Sequence, residues 1–140
     1  MSGKVFFDTN VLVYTEDDRD SRKQKIAIDL VRRHALTRTG VISYQVVQEF
    51  FNVLLVKASK KMAYSEAQEF LEAVLRPLLS VHSSADLFAE AMRIHERYRL
   101  SWYDSLIVAA AQQAGCDRLY SEDLQHGQQF GGVRVENPFL

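Results

Sequence analysis

Four of the 18 acidic residues stand among apolar neighbours, where an unpaired carboxylate is costly to bury. Asp8 closes the run Val5-Phe6-Phe7 and precedes Thr9-Asn10-Val11-Leu12-Val13. Glu49 borders an apolar stripe of Val46, Val47, Phe50, Phe51 and Leu54 at helical spacing. Asp104 has Ile107, Val108 and Ala111 at i+3, i+4 and i+7, so an acid shares the face that should enter a core. Asp123 follows Leu119-Tyr120-Ser121-Glu122. Taken singly, each has an ordinary role. Asp8 suits a turn or N-cap, Glu49 a boundary position reaching water, and Asp123 a strand-to-loop step. Asp104 suits the first turn of a helix, where the dipole favours an anion, but Ser101 is available as the cap. Brought together, four carboxylates repel and raise one another's pKa values. A divalent cation removes that conflict, and all-oxygen ligands with waters suit Mg²⁺ or Mn²⁺ rather than zinc.

The elements that must position these acids alternate between strand and helix. Residues 4–8 read as a buried strand, and Val41-Ile42, residues 78–81, 118–121 and 133–135 as four more. Helices are expected over 20–36, ended by Gly40, and over 44–58, capped by Ser43. Ser65-Glu66-Ala67-Gln68 has capping-box spacing and opens a helix that should stop before Pro77. Helices over 84–98 and 103–114 follow, the last ended by Gly115 at C′. This alternation predicts an α/β fold: a central parallel sheet of about five strands with helices on both faces. Ligands of such sheets sit at the carboxyl ends of the strands. Asp8 and Asp123 end strands, and Glu49 and Asp104 lie in early turns of helices that begin at that edge.

A chain of 140 residues suits one domain, here 1–140, with a core that needs no staples. A single cysteine, Cys116, excludes an internal disulfide framework and a multi-cysteine metal site. No apolar run approaches the ~18 residues that span a membrane, and no secretory apolar stretch opens the chain. A cytoplasmic protein is the expectation. The net charge of −1 gives no global basic field. Seven basic residues against two acids lie within 19–38, and Lys57, Lys60 and Lys61 form a second cluster. These are the cations available to flank an acidic cleft that takes a nucleic acid. For Tyr14, Trp102 and Tyr103, near the same edge, core packing is the expectation, with base stacking as the alternative.

Phe7-Asp8-Thr9-Asn10-Val11-Leu12, then Glu49, Trp102-Tyr103-Asp104-Ser105-Leu106-Ile107 and Tyr120-Ser121-Glu122-Asp123-Leu124 resemble the PIN-domain ribonucleases, and most closely the VapC-type toxins of bacterial toxin–antitoxin pairs. The acids are separated by 41, 55 and 19 positions, which suits that family, and the resemblance runs the whole chain. It implies a PIN-like parallel-sheet nuclease, usually a homodimer, that cuts RNA and is held off by an antitoxin protein. It further implies that Asp8, Glu49, Asp104 and Asp123 are the catalytic and metal-binding acids, with Asn10 and Ser121 in support. The segment Leu124-Gln125-His126-Gly127 departs from the Asp-x-x-Phe ending of many relatives. The implied chemistry is metal-assisted phosphodiester hydrolysis. The alternative is a regulatory, protein-binding PIN-like module with little or no nuclease activity.

Overall fold

The computed structural model describes residues 2–140. Its sheet has six strands: β1 (Val5–Phe7), β2 (Gly40–Ser43), β3 (Leu79–Val81), β4 (Arg118–Tyr120), β5 (Gln129–Phe130) and β6 (Val133–Glu136). They run in the order β3-β2-β1-β4-β6-β5. Every neighbouring pair is parallel except β5 with β6. The two-residue β5 is the strand the sequence does not announce, being too short to show a period. β1 is buried throughout, as a central parallel strand covered on both faces must be. Consecutive strands leave β1 toward β3, and the chain then returns to add β4 on the other side. The strand order therefore reverses between β1 and β4, which opens a crevice at their carboxyl ends.

Among the described residues seven helices cover the sheet: α1 (Thr9–Thr15), α2 (Ser21–Leu36), α3 (Tyr44–Phe51), α4 (Tyr64–Phe70), α5 (Arg76–Leu78), α6 (Ala85–Tyr98) and α7 (Trp102–Gln113). α3 continues as a wider, i→i+5 turn over Asn52–Lys57, so the expected helix over 44–58 is present but unwound in its second half. α1 is unannounced by the sequence reading, because seven residues directly after a strand show barely two turns of period.

Four local expectations are corrected. α2 ends at Leu36, and the left-handed residue behind it is Arg38 (φ 58°), not Gly40. Gly40 instead opens β2 where space is short: a Cβ there would lie 2.8 Å from Leu78 Cδ2 and 2.9 Å from Phe7 Cε2. Ser65 is not a cap; α4 begins at Tyr64 behind Ala63, which has no side-chain acceptor. The helical path does not stop before Pro77. It widens over Leu71–Leu75, the Arg76 N–H reaches back to Leu71 O, and Pro77 sits in the first turn of α5, where its missing N–H costs nothing. Ser43 does hold the N-cap position of α3, but its buried hydroxyl has no hydrogen-bond partner among the described residues.

One contiguous cluster of buried side chains joins the sheet to the helices, centred on Phe6, Phe7, Leu12, Phe50, Ile107 and Leu119. α7 is buried from Ser105 to Ala111, with Gly115 (φ 71°) ending it at C′ as expected. Cys116 lies in this core, and burial pushes its thiol up to about 12, which makes it inert. Among the described residues no helix is long and apolar enough to cross a membrane.

Candidate active site

Asp8, Glu49, Asp104 and Asp123 line one open cleft of ≈ 740 Å³ at the carboxyl edge of the sheet. Each reaches it by a different local device. Asp8 follows β1 and is the N-cap of α1, its Oδ1 accepting from the Thr9 N–H at 2.8 Å. Its other oxygen, Oδ2, accepts from the Ser121 hydroxyl at 2.7 Å. The capping role and the cleft position thus fall on one residue. Asp8 is only 5% exposed. Burial, first, pushes its carboxyl up to about 7; the bonds from Ser121 and Thr9 resist, and the charges of Asp123 and Asp104 add to the rise.

Ser101 caps α7 by accepting from the Asp104 N–H at 3.1 Å, which leaves the Asp104 carboxylate free of the capping role. Asp104 is half-buried, and burial together with the charge of Asp123 raises its pKa against the influence of Ser101. Glu49 sits in the second turn of α3, half-buried at the stripe border. It accepts from the Thr9 hydroxyl at 2.6 Å and from Gln45 Nε2 at 3.4 Å. Thr9 is therefore a site residue that the sequence reading passed over; its place directly after Asp8 was the available signal. Asp123 is exposed and accepts from Asn10 Nδ2 at 3.0 Å.

Asn10 and Ser121 are the hubs of the site. Asn10 also accepts, through Oδ1, from the Glu122 N–H at 3.3 Å. The Ser121 hydroxyl, fully buried, accepts from the Asp123 and Leu124 N–H groups at 3.1 and 3.3 Å while donating to Asp8. A single hydroxyl therefore fixes both the first acid and the turn that carries the last.

A second tie lies behind that turn. Lys23 Nζ of α2 meets Glu122 Oε2 at 2.5 Å, and the Tyr14 hydroxyl of α1 donates to Glu122 Oε1 at 2.7 Å. Burial works against the charge on Glu122, but these bonds outweigh it and hold its carboxyl below the ordinary range. The Tyr14 ring packs edge-on against Phe139, whose carbonyl accepts from Arg22. Glu122, Lys23 and Tyr14 are thus structural partners of one another. Three of the seven basic residues of the stretch 19–38 are committed in this way, since Arg19 is also paired with Asp17. Only Arg19 and Lys57 among the flanking cations line the cleft; Lys60 and Lys61 line an adjoining trough. His126 is exposed and accepts from the Asn137 N–H, so it serves the loop rather than the cleft.

Among the described residues none of the four acids forms an ion pair. Nor do three acid, histidine or cysteine side chains close around a common point as a ready metal cage. The donor set nevertheless fits a hard divalent cation. It is all oxygen, uncompensated by lysine or arginine, and Mg²⁺ binds through one or two carboxylates while keeping several waters.

The sequence signature of the PIN domain matches residues 5–128, a span that holds all four acids. The chain belongs to the PIN-domain family. No curated protein sequence matches it. Among solved structures this PIN domain is similar in fold to FitAB bound to a DNA fragment, with a TM-score of 0.74, 16% identity, and 97% of this chain and 96% of that chain covered. It is also similar to VapBC2 from Rickettsia felis bound to a promoter DNA fragment, with a TM-score of 0.67, 20% identity and coverage of 95% and 97%. The third is VapC20 from Mycobacterium tuberculosis, described as a sarcin-ricin loop cleaving toxin. Its TM-score is 0.61, with 21% identity and coverage of 86% and 90%.

Proposed function

We propose that this PIN domain is a divalent-cation-dependent endoribonuclease, the VapC-type toxin of a toxin–antitoxin pair. The observation that carries the reading is a cleft whose lining includes four carboxylates that form no ion pair among the described residues, one of them an aspartate buried to 5% exposure; the fifth acid there, Asp17, is paired with Arg19. A protein that had no cation to place there would gain by replacing Asp8 with an apolar or amide side chain. Asp8, Glu49, Asp104 and Asp123 would hold Mg²⁺ or Mn²⁺, supported by Asn10 and Ser121. When bound, the cation lowers the pKa of a water and neutralises charge that builds on the phosphate. The protein's part is positional. Ser121 and Thr9 fix the oxygens of Asp8, Thr9 and Gln45 fix Glu49, and Asn10 fixes Asp123. The fold likeness to toxin–antitoxin complexes supports an antitoxin chain as a partner, and the family resemblance adds a second copy of this chain to the proposal. The proposed setting is the cytoplasm, where such a toxin would meet RNA.

Purified protein incubated with RNA in Mg²⁺, Mn²⁺ or EDTA, beside Asp8→Asn and Asp104→Asn, tests the reading. Metal-dependent cutting lost in both variants is the expected result. Folded protein that binds neither Mn²⁺ nor Mg²⁺ and cuts nothing would refute it and leave the regulatory, protein-binding reading.

A further inference from the structure

Part of the cleft lining has a composition that acid chemistry does not require. Tyr103, immediately before Asp104, is 63% exposed yet lines the cleft. Of the three aromatics at this edge it alone remains free. Tyr14 packs on Phe139, and Trp102 is half-buried beside His95. The backbone at Tyr103 is held, because its carbonyl accepts from Gln45 Nε2 at 3.1 Å. Gln45 and Gln48 of α3 and Asn52, the first residue of the wider turn that continues it, follow at i, i+3 and i+7, and all three line the cleft with Glu49. Gln45 is spent on Tyr103 and Glu49, whereas the exposed Gln48 and Asn52 amides have no side-chain hydrogen bond among the described residues. Lys57 lies farther along the same wall, and among the described residues it has no ion pair.

We infer that this wall reads unpaired bases of the substrate. Resting on the ribonuclease reading above, the inference makes Tyr103 a stacking platform for a base beside the phosphate held at the acids. Gln48 and Asn52 offer an amide donor and acceptor each to the edge of a neighbouring base, and Lys57 meets the backbone phosphate beyond. An aromatic face takes any base, while amides distinguish base edges. A base inside a duplex presents neither its face nor its Watson–Crick edge. The wall therefore selects unpaired segments, and its two amides set which base is preferred near the cut.

The test separates binding from cutting. Anisotropy is measured in Mg²⁺ with Asp8→Asn protein, which leaves RNA intact, on a labelled decamer of random sequence and on a hairpin stem. Tyr103→Ala in that background should weaken the single strand about tenfold, and Tyr103→Phe should restore it. The stem should bind weakly and be indifferent to both. In parallel, Gln48→Ala and Asn52→Ala in otherwise wild-type protein should broaden the base preference seen when cut ends of an RNA pool are sequenced. Equal binding by the Tyr103→Ala protein, or no RNA binding by the parent, overturns the inference. Binding that depends on Tyr103 in a wild-type protein that never cuts would refute the nuclease and keep the base-reading wall.

Discussion

Asp8→Asn should make the metal-free protein more stable at neutral pH, although it removes the most buried acid of the site. The Asp8 carboxyl has its pKa pushed up to about 7 in the fold, against 3.8 for the ordinary side chain. Below pH 4 both folded and unfolded chains hold the proton, and Asp8 contributes no pH dependence. Between pH 4 and 7 only the folded chain keeps it, so the free energy of unfolding falls as pH rises. Above pH 7 the folded chain carries a buried charge and the penalty is complete. A shift of this size corresponds to about 4 kcal/mol as an upper bound, at ~1.4 kcal/mol per unit. Asparagine keeps an acceptor for the Thr9 N–H but sets an amide against the Ser121 hydroxyl, which offsets roughly 1 kcal/mol. The net gain at pH 8 in EDTA is then about 1–3 kcal/mol, or ~3–10 °C in Tm for a domain of this size. At pH 4 the gain should vanish. Mn²⁺ or Mg²⁺ should raise the Tm of the wild type at pH 8 and raise that of Asp8→Asn much less. Thermal scans of both proteins from pH 4 to 8, with EDTA and with metal, read all of this. Parallel pH profiles for the two proteins would refute the reasoning, because the penalty would then not reside at Asp8.

Ser121→Ala removes one donor to Asp8 and the acceptor of two turn N–H groups; urea denaturation should show a loss of about 2–3 kcal/mol. Lys23→Met should raise the Mn²⁺ concentration needed for half-maximal cutting, because the Lys23–Glu122 pair steadies the turn that carries Asp123; Lys23→Arg should restore it, and an unchanged metal titration would sever that link. Gly40→Ala drives a Cβ to 2.8 Å from Leu78 and 2.9 Å from Phe7. It should cost about 1–3 kcal/mol by urea denaturation, with activity per folded molecule retained.

The parallel sheet, five of its strands and the cleft edge were legible because their signals are long or chemically odd. β1 is a run of buried residues closed by a charge, and α7 carries an acid on the face that its neighbours bury. What the sequence hid depends on contacts between distant segments. Nothing near Glu122 shows that Lys23, 99 positions earlier, neutralises it. The basic stretch 19–38 reads as a free cationic surface until Asp17, Glu122 and the Phe139 carbonyl claim three of its members. Tyr103 and Trp102 are adjacent in sequence and equal in apolar character, so only the helix phase fixed by Ser101 separates the packed ring from the exposed one. Pro77 misled for a related reason. The rule that a proline ends a helix assumes regular winding, and the wide turn over Leu71–Leu75 lets the chain restart instead.

The polar ties of the cleft explain how such a site survives folding. The charges of Asp123 and Asp104 raise the affinity of Asp8 for its proton, and that of Asp123 does the same to Asp104, while among the described residues no lysine or arginine is paired with any of the three. An internal cation would remove the repulsion permanently, but it would also occupy the place of any exchangeable ion. The chain holds Asp8, Glu49 and Asp123 with neutral donors instead: a threonine hydroxyl, a serine hydroxyl, two amides and one backbone N–H. Each such bond contributes about 1 kcal/mol and is aimed at one oxygen. Together they fix geometry without cancelling charge. The residual cost is concentrated at Asp8, where burial is deepest, so the pH profile of the metal-free protein measures the same electrostatic strain that a divalent cation would relieve.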